Sequence, residues 1–477
     1  MPFLRKGLRS FVCLMIAPLL LSSCESTSPA IDASTPVPSF KPASLPTLNQ
    51  PIAQQATNTR ASGRLTLESA VASAVEAHPS VHVARSEILA ADARIAQARA
   101  AYYPSISAGM GTGEANSSDG IRWRPQMQLS VSQMVYDFGK TSSNVQSRTA
   151  SREASDVELI ASRESVARDT VEAFVEVQRY SALDSAAQQQ AEGIGKIADL
   201  VRDRSQSGAS TKSEEQQALA RVQAARTNRL EINSQLQRWR AVLAQYTAQA
   251  IPSKIGHSSS FIDQSCSGSD LNYQRASPVL VAEAKQREAN AELAREQSNT
   301  YPTIALDGGA SYAFGGHVDQ GDRAFYRLGL NVKTDVFNGG ASKAAMAAAA
   351  YSAEGALAGV ELARFEVTNA ITTAKAQVGN VQQMIALLGD RDAVLKETRD
   401  LYYDQYIELG TRTLLDLLNA EQDVHQANFD KVNAAYDLRK LGLVCLYSSG
   451  ELRRKFNLGE PAPISEPVAG RARVAQL

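Results

Sequence analysis

The stretch that opens at Tyr103-Pro104, runs through Gln126-Met127-Gln128-Leu129-Ser130-Val131-Ser132 and closes at Val135-Tyr136-Asp137-Phe138-Gly139 occurs twice in this chain of 477 residues. The second version opens at Tyr301-Pro302 and closes at Val336-Phe337-Asn338-Gly339-Gly340. From Gln126 to Ser132 every second residue is apolar and the intervening ones are Gln or Ser. Successive side chains of a strand point to opposite faces, so this run makes one greasy and one wet face. Its partner is Ser105 to Thr112, where Ile106, Ala108 and Met110 alternate with Ser107 and Gly109. In the second version Ile304, Leu306, Ala310, Tyr312 and Phe314 alternate with Thr303, Asp307 and Ser311. Tyr326, Leu328, Leu330 and Val332 then alternate with Arg327, Gly329, Asn331 and Lys333. Charged side chains on one face belong in water, not hydrocarbon, so Asp307, Arg327, Asn331 and Lys333 are expected to line a lumen.

The strands expected are 105–112, 125–136, 303–314 and 325–337, with Gly113 to Arg122 and Gly315 to Arg323 as exposed tips. Aromatic residues sit where a membrane barrel has its interfacial girdle. Tyr102, Tyr103, Tyr136, Phe138, Tyr301 and Phe337 all fall at strand ends.

Each strand pair is followed by helical sequence with few breakers, at 140–206 and 341–408. Close to 70 residues rising about 1.5 Å each would reach roughly 100 Å, too long for a globular core to cover. Such helices must pack on partners of similar length. Gly208 and Gly410 mark turns into second helices, giving antiparallel hairpins over 140–250 and 341–450. Register supports a duplication. Pro104 to Pro302 is an offset of 198, Val135 to Val336 is 201 and Gly208 to Gly410 is 202. Beyond the turn Ala218, Val222 and Ala225 match Ala420, Val424 and Ala427. Repeat one is assigned 63–262 and repeat two 263–455, with 456–477 as a C-terminal tail. Ahead of the first strand, Thr66 is the expected N-cap of a short helix that breaks at His78-Pro79.

Four strands cannot close a barrel, and an open sheet edge is not tolerated in lipid. Two copies would give eight strands and an interior filled by side chains; three would give twelve. Twelve strands about 4.8 Å apart make a pore roughly 24 Å across. Geometry thus favours a conduit, and the fold class expected is α+β membrane: each subunit gives four strands to a shared barrel continued by a long antiparallel helical tunnel.

The first residues read as a processing signal: Arg5, Lys6 and Arg9, then apolar Phe11 to Leu21. Leu21-Ser22-Ser23-Cys24 resembles a bacterial lipobox, which makes 1–23 a lipoprotein signal peptide and Cys24 the acylated residue. Residues 24–62 then form an acylated N-terminus and a Pro/Ser-rich linker. Export implies an oxidising compartment, where Cys266 and Cys445 are a possible disulfide. With 49 Lys and Arg against 50 Asp and Glu, nucleic acid is not an expected partner. The five histidines are scattered, and no P-loop, nucleophile elbow or metal-ligand spacing is present. Neither an enzyme, a metal site nor a cofactor is expected.

The chain resembles the TolC family of outer membrane efflux and secretion proteins over about 63–455. The main carrier is Gly410-Thr411-Arg412-Thr413-Leu414-Leu415-Asp416-Leu417-Leu418-Asn419-Ala420-Glu421. Leu65-Thr66-Leu67-Glu68, Phe337-Asn338-Gly339-Gly340, Tyr436 and Ser449-Gly450-Glu451-Leu452 also contribute. The resemblance implies a homotrimer in the bacterial outer membrane, docking on a periplasmic adaptor (membrane fusion) protein and an inner-membrane ABC or proton-driven transporter. It puts Asp416 on an acidic gate ring, with Asn419 where some members carry a second Asp. Arg412 falls on a position that bridges neighbouring coils, and Glu214, 202 residues before Asp416, is its expected counter-charge. The implied function is the exit duct of a tripartite export system, most closely type I protein secretion. A multidrug or metal efflux outlet is the alternative, and a lipid-anchored periplasmic coiled-coil scaffold a remoter one.

Overall fold

The computed structural model describes residues 65–117, 120–252, 255–256, 261–262, 265–266, 273–314 and 324–460. The signal segment with Cys24, the linker that follows it, the second tip at 315–323 and the tail beyond 460 lie outside the described residues.

Helix α1 (Leu67–Ala77) starts on a capping box in which Thr66 and Ser69 cap each other's backbone N–H groups. Its buried residues Leu67, Ala70, Val71 and Ala74 share one face. The chain turns at His78, and Pro79 begins α2 (Pro79–Arg99), where a missing N–H is harmless. A short 3-10 turn leads to Pro104 and then β1 (Ser105–Ser117) and β2 (Gly120–Tyr136). Next come α3 (Lys140–Gln206) and α4 (Lys212–Thr247), then α5 (Ser277–Ser298), β3 (Thr303–Ala313) and β4 (Ala324–Lys333). Helices α6 (Ala341–Asp404), α7 (Leu414–Ser448) and the short α8 (Glu451–Lys455) complete the order.

The four strands form one antiparallel sheet in the order β1-β2-β3-β4. The repeats therefore join through β2 and β3, with Ser132 opposite Asp307 and Leu129 opposite Ala310. β1 and β2 run beyond the expected 112 and 125, because their ladder continues to Ser117↔Gly120. β4 stops at Lys333, short of the expected 337. Its partner there is Thr303, the first residue of β3, and Pro302 before it has no N–H to extend the ladder.

Both long helices begin with the same device. Gly139 and Gly340 hold φ 95° and 89° at the N-cap, a conformation that favours glycine. Asp137 accepts the Thr141 N–H at 2.6 Å, and Asn338 accepts the Ser342 N–H at 3.3 Å. Helix α3 packs on α4, α2, α5 and α7, and α6 packs on α7 and α5. The six register-matched residues Ala218, Val222, Ala225, Ala420, Val424 and Ala427 are all buried. The largest core gathers Leu67 and Val71 of α1, Val171 and Phe174 of α3, Leu243 of α4 and Leu443 of α7. A second core, at the turn ends of the hairpins, gathers Ile197 and Val201 with Leu414, Leu417 and Leu418. Among the described residues no helix is long and apolar enough to cross a membrane.

Candidate functional site: a two-faced sheet and a capped helical tip

Register assigns the residues of the regular ladders to faces. Ser105 and Ser107 line up with Ser132 and Ser130, these with Asp307 and Gly309, and these with Gly329 and Arg327. Ile106 and Ala108 line up with Val131 and Leu129, then Gly308 and Ala310, then Leu328 and Tyr326. One face is thus polar across all four strands and the other apolar.

The polar face is knitted by hydrogen bonds. Ser107 and Ser130 hydroxyls meet at 2.7 Å; Ser132 donates to Asp307 at 2.6 Å and Asn331 donates to the other Asp307 oxygen at 3.1 Å. Asp307, Arg327, Asn331 and Lys333 share this face by register. The apolar face stands bare: Met110 is 79% exposed, Tyr326 77%, Leu328 76% and Leu330 67%. In water such a patch would be an aggregation site; against lipid it is satisfied. The outer edges of β1 and β4 pair with nothing described in the chain. Tyr102, Tyr103, Tyr136, Phe138, Tyr301 and Phe337 are all exposed at the end where strands meet helices.

At the opposite end of the long helices, each hairpin turn enters its second helix through a capping box. Thr211 accepts the Glu214 N–H at 3.2 Å, and the Glu214 carboxylate accepts the Thr211 N–H at 2.8 Å. Thr413 accepts the Asp416 N–H at 3.2 Å, and Asp416 accepts the Thr413 N–H at 3.3 Å and its hydroxyl at 2.9 Å. The hydroxyl bond from Thr413, then the backbone bond and the Arg412 charge, hold Asp416 below the usual carboxylate range. Glu214 is lowered too, first by the Ser210 hydroxyl and then by the Thr211 backbone N–H.

The expected Arg412–Glu214 pair is not formed within the subunit. Arg412 instead donates through Nε to Gln405 at 3.1 Å and lies 4.4 Å over the Tyr402 ring. The capping box takes the Glu214 carboxylate, and Arg204 of α3 is the cation whose charge reaches it. Asn419 accepts from Arg221 of α4 at 3.4 Å, and Arg221 also donates to Gln422 at 2.8 Å. Sequence reasoning took Glu214 and Asp416 as gate charges and missed their caps, although a Thr followed three residues later by an acid before an apolar run spells one. Arg204 and Arg221 carried no such signal.

Cys266 and Cys445 are joined by a disulfide, with Cα atoms 5.5 Å apart. Cys445 lies in α7, and Cys266 lies in the connection between α4 and α5.

A sheet with one lipid-compatible face, one aqueous face and two open edges, carried on helices of this length, defines a subunit of a membrane conduit. A family model described as outer membrane efflux protein matches residues 70–249 and 271–440, and the chain belongs to that family. The outer membrane efflux protein BepC of Brucella suis biovar 1 is 23% identical over 407 residues, covering 81% of this chain and 86% of the relative. The outer membrane protein VceC of Vibrio cholerae superposes with a TM-score of 0.70 at 19% identity, covering 80% of this chain and 96% of that one. The Campylobacter jejuni CmeC outer membrane channel gives 0.67 at 15% identity, covering 86% and 94%. The protein is an outer membrane efflux channel extending into the periplasm. Its fold contributes four strands per subunit to a trimeric twelve-stranded barrel continued by an antiparallel helical tunnel. Members of the family are channels, not enzymes.

Proposed function

We propose that three copies of this chain form the exit duct of a type I protein secretion system, receiving substrate from a periplasmic adaptor and an inner-membrane ABC transporter. The observation that carries the duct is the four-stranded sheet with chemically opposite faces and unpaired outer strands. Its polar face is mostly Ser, Gly and Gln, small or neutral side chains that leave a wide aqueous bore for an extended polypeptide. The secretion assignment rests on the turn Arg412-Thr413-Leu414-Leu415-Asp416-Leu417-Leu418, which resembles the secretion branch of the family. Asp416 supplies one carboxylate per subunit to the tunnel mouth, three in all, while Asn419 and its Arg221 partner dilute the negative charge there. Cation selectivity at the mouth is accordingly modest.

A second reading, the outlet of a multidrug or metal efflux pump working with a proton-driven transporter, is favoured by the efflux description of the relative BepC and by the lipobox at Cys24. Deleting the gene and comparing the culture medium with drug and metal tolerance separates the two. The secretion reading expects one or a few large proteins to vanish from the medium with tolerance unchanged. Full secretion with sharply lowered tolerance would overturn it in favour of the pump.

A further inference from the structure

Charge on the polar face of the sheet is one-sided. Along β2, Arg122 and Arg124 continue the alternate positions of Gln126, Gln128, Ser130 and Ser132. Along β4, Arg327 and Lys333 share that face with Asn331, and Asp307 of β3 is its one acid among the paired residues. Glu114 of β1 alternates onto the other face with Met110. The residues opposite the four cations carry no charge: Ala115 pairs with Arg122, Gly113 with Arg124, Gly309 with Arg327 and Thr303 with Lys333. Lys140, the first residue of α3, adds to the last of these rows, where its Nζ donates to the Thr303 hydroxyl at 3.2 Å. Asp307 has its oxygens on Ser132 and Asn331, Asp137 caps α3, and Asp335 lies past the end of β4. Asp119, Asp319 and Asp322 lie outside the ladders.

The cations fall in three tiers. Lys140 and Lys333 stand at the base, where strands meet helices. Arg327 is six residues up β4 from Lys333, level with Ser130, and Arg124 is six residues up β2 from Ser130. At about 3.4 Å per residue the tiers are roughly 20 Å apart along the strands. Around the middle tier the neighbours are small: Ser107, Ser130 and Gly309 lie in its row. A hollow of about 130 Å³ opens there, lined by Arg327 together with Gln126, Gln128, Gly309, Ser311 and Phe325.

We propose that the barrel is an anion-attracting bore and that the cargo of the duct is an acidic polypeptide; this rests on reading the molecule as a polypeptide duct. A bore lined with one sign of charge behind low-dielectric walls concentrates ions of the opposite sign. Guanidinium groups suit carboxylates in particular, because their planar fork is weakly hydrated and takes two oxygens at once. A small anion is the poorer match. The hollow beside Arg327 is well below the roughly 300–1,000 Å³ of small-molecule sites, and tiers roughly 20 Å apart offer such a molecule one at a time. An extended polypeptide, at about 3.3 Å per residue, reaches all the tiers together. Exposed ion pairs are individually weak, so the chain is drawn in without being held. The mouth agrees with this cargo. Asn419, bonded to Arg221, leaves the mouth one carboxylate fewer to repel an acidic chain.

Single-channel recording of the purified, full-length protein in planar bilayers tests this, with unstructured poly-L-glutamate added to each side in turn. From the barrel side it should block the unmodified pore, and poly-L-lysine from that side should not. Arg327→Gln and Lys333→Gln should each weaken the block about tenfold at about 0.01 M salt, where a screening length of about 30 Å lets three charges roughly 12 Å from the axis act together. At about 1 M salt, with screening cut to about 3 Å, the block should be largely gone. Asn331→Gln, on the same face without a charge, should leave the block as it is. Conducting pores that poly-L-glutamate does not block from the barrel side, or that poly-L-lysine blocks as well, would overturn the anion-attracting bore. A block unchanged in the Arg327→Gln, Lys333→Gln double variant would overturn its assignment to these tiers. Citrate blocking as tightly as poly-L-glutamate would give the bore to small anions and remove the polypeptide cargo. An unmodified protein that inserts but never conducts would instead sink the duct reading.

Discussion

Glu164 is fully buried in α3, 289 residues from its partner Arg453 in α8, which is 4% exposed. Glu164 accepts the Arg453 backbone N–H at 3.2 Å and the Ser277 hydroxyl, while the guanidinium stands 3.5 Å from the carboxylate and donates to Ser277 and to the Arg275 carbonyl at 3.1 Å each. The cluster fills the junction where α7 ends and α5 begins. There Gly450 holds φ 72°, and a Cβ on it would lie 2.2 Å from the Arg275 carbonyl oxygen. Burial pushes the Glu164 carboxyl up, against the opposing pull of Ser277 and Arg453. Glu164→Ala leaves a buried guanidinium without its carboxylate and should cost about 3–5 kcal/mol, read as a large drop in the thermal midpoint. A midpoint unchanged by that substitution would show the cluster to be solvated. The tip carboxylates behave in the opposite sense. Asp416 and Glu214 are held below their ordinary values, so they favour the capped state only while ionised. Their contribution is complete at neutral pH and lost only as pH falls through those lowered values, below about pH 4. Hydrogen exchange over 411–417 should be steady from neutral pH to about pH 5, after correction for intrinsic rates, and accelerate in stronger acid. Acceleration already at about pH 6 would contradict the assignment. Sequence alone exposed the caps in principle, through Thr211-x-x-Glu214 and Thr413-x-x-Asp416. Nothing in it linked Glu164 to Arg453, because a contact across 289 residues has no local pattern.

At the scale of elements, alternation decided the strands and their faces, since a period of two leaves no freedom once one residue is assigned. What it could not supply was the order. The β2–β3 pairing crosses the whole first hairpin, and the end of β4 depends on where its partner begins, after Pro302. The one-residue slip between the repeats, from an offset of 201 to 202, was visible in the sequence, but its form as a π-helical turn at Gln405–Leu409 was not. The faces make a sharp prediction. Leu328 and Asn331 both lie in β4, on the apolar and polar faces. Leu328→Lys should destabilise the membrane-inserted protein by about 2–4 kcal/mol, whereas Asn331→Lys should be near neutral. Urea unfolding from liposomes measures both, and equal effects would mean the faces are wrongly assigned.

For the whole molecule, the disulfide ties the α4–α5 connection to α7 across 179 residues. The two hairpins supply a wall roughly 100 Å deep, from 67 residues in α3 and 64 in α6. The sheet supplies a third of a barrel, which is why one chain is incomplete. With β4 exposed along its length and β1 free at the other edge, antiparallel closure of β4 on the β1 of the next copy continues the sheet without a break in hydrogen bonding. Two copies would close only a filled eight-stranded barrel, and three leave a bore. The mass of the particle extracted from the outer membrane, measured by native mass spectrometry, tests this most directly. Three chains are expected; a single chain or a pair would contradict the trimeric barrel.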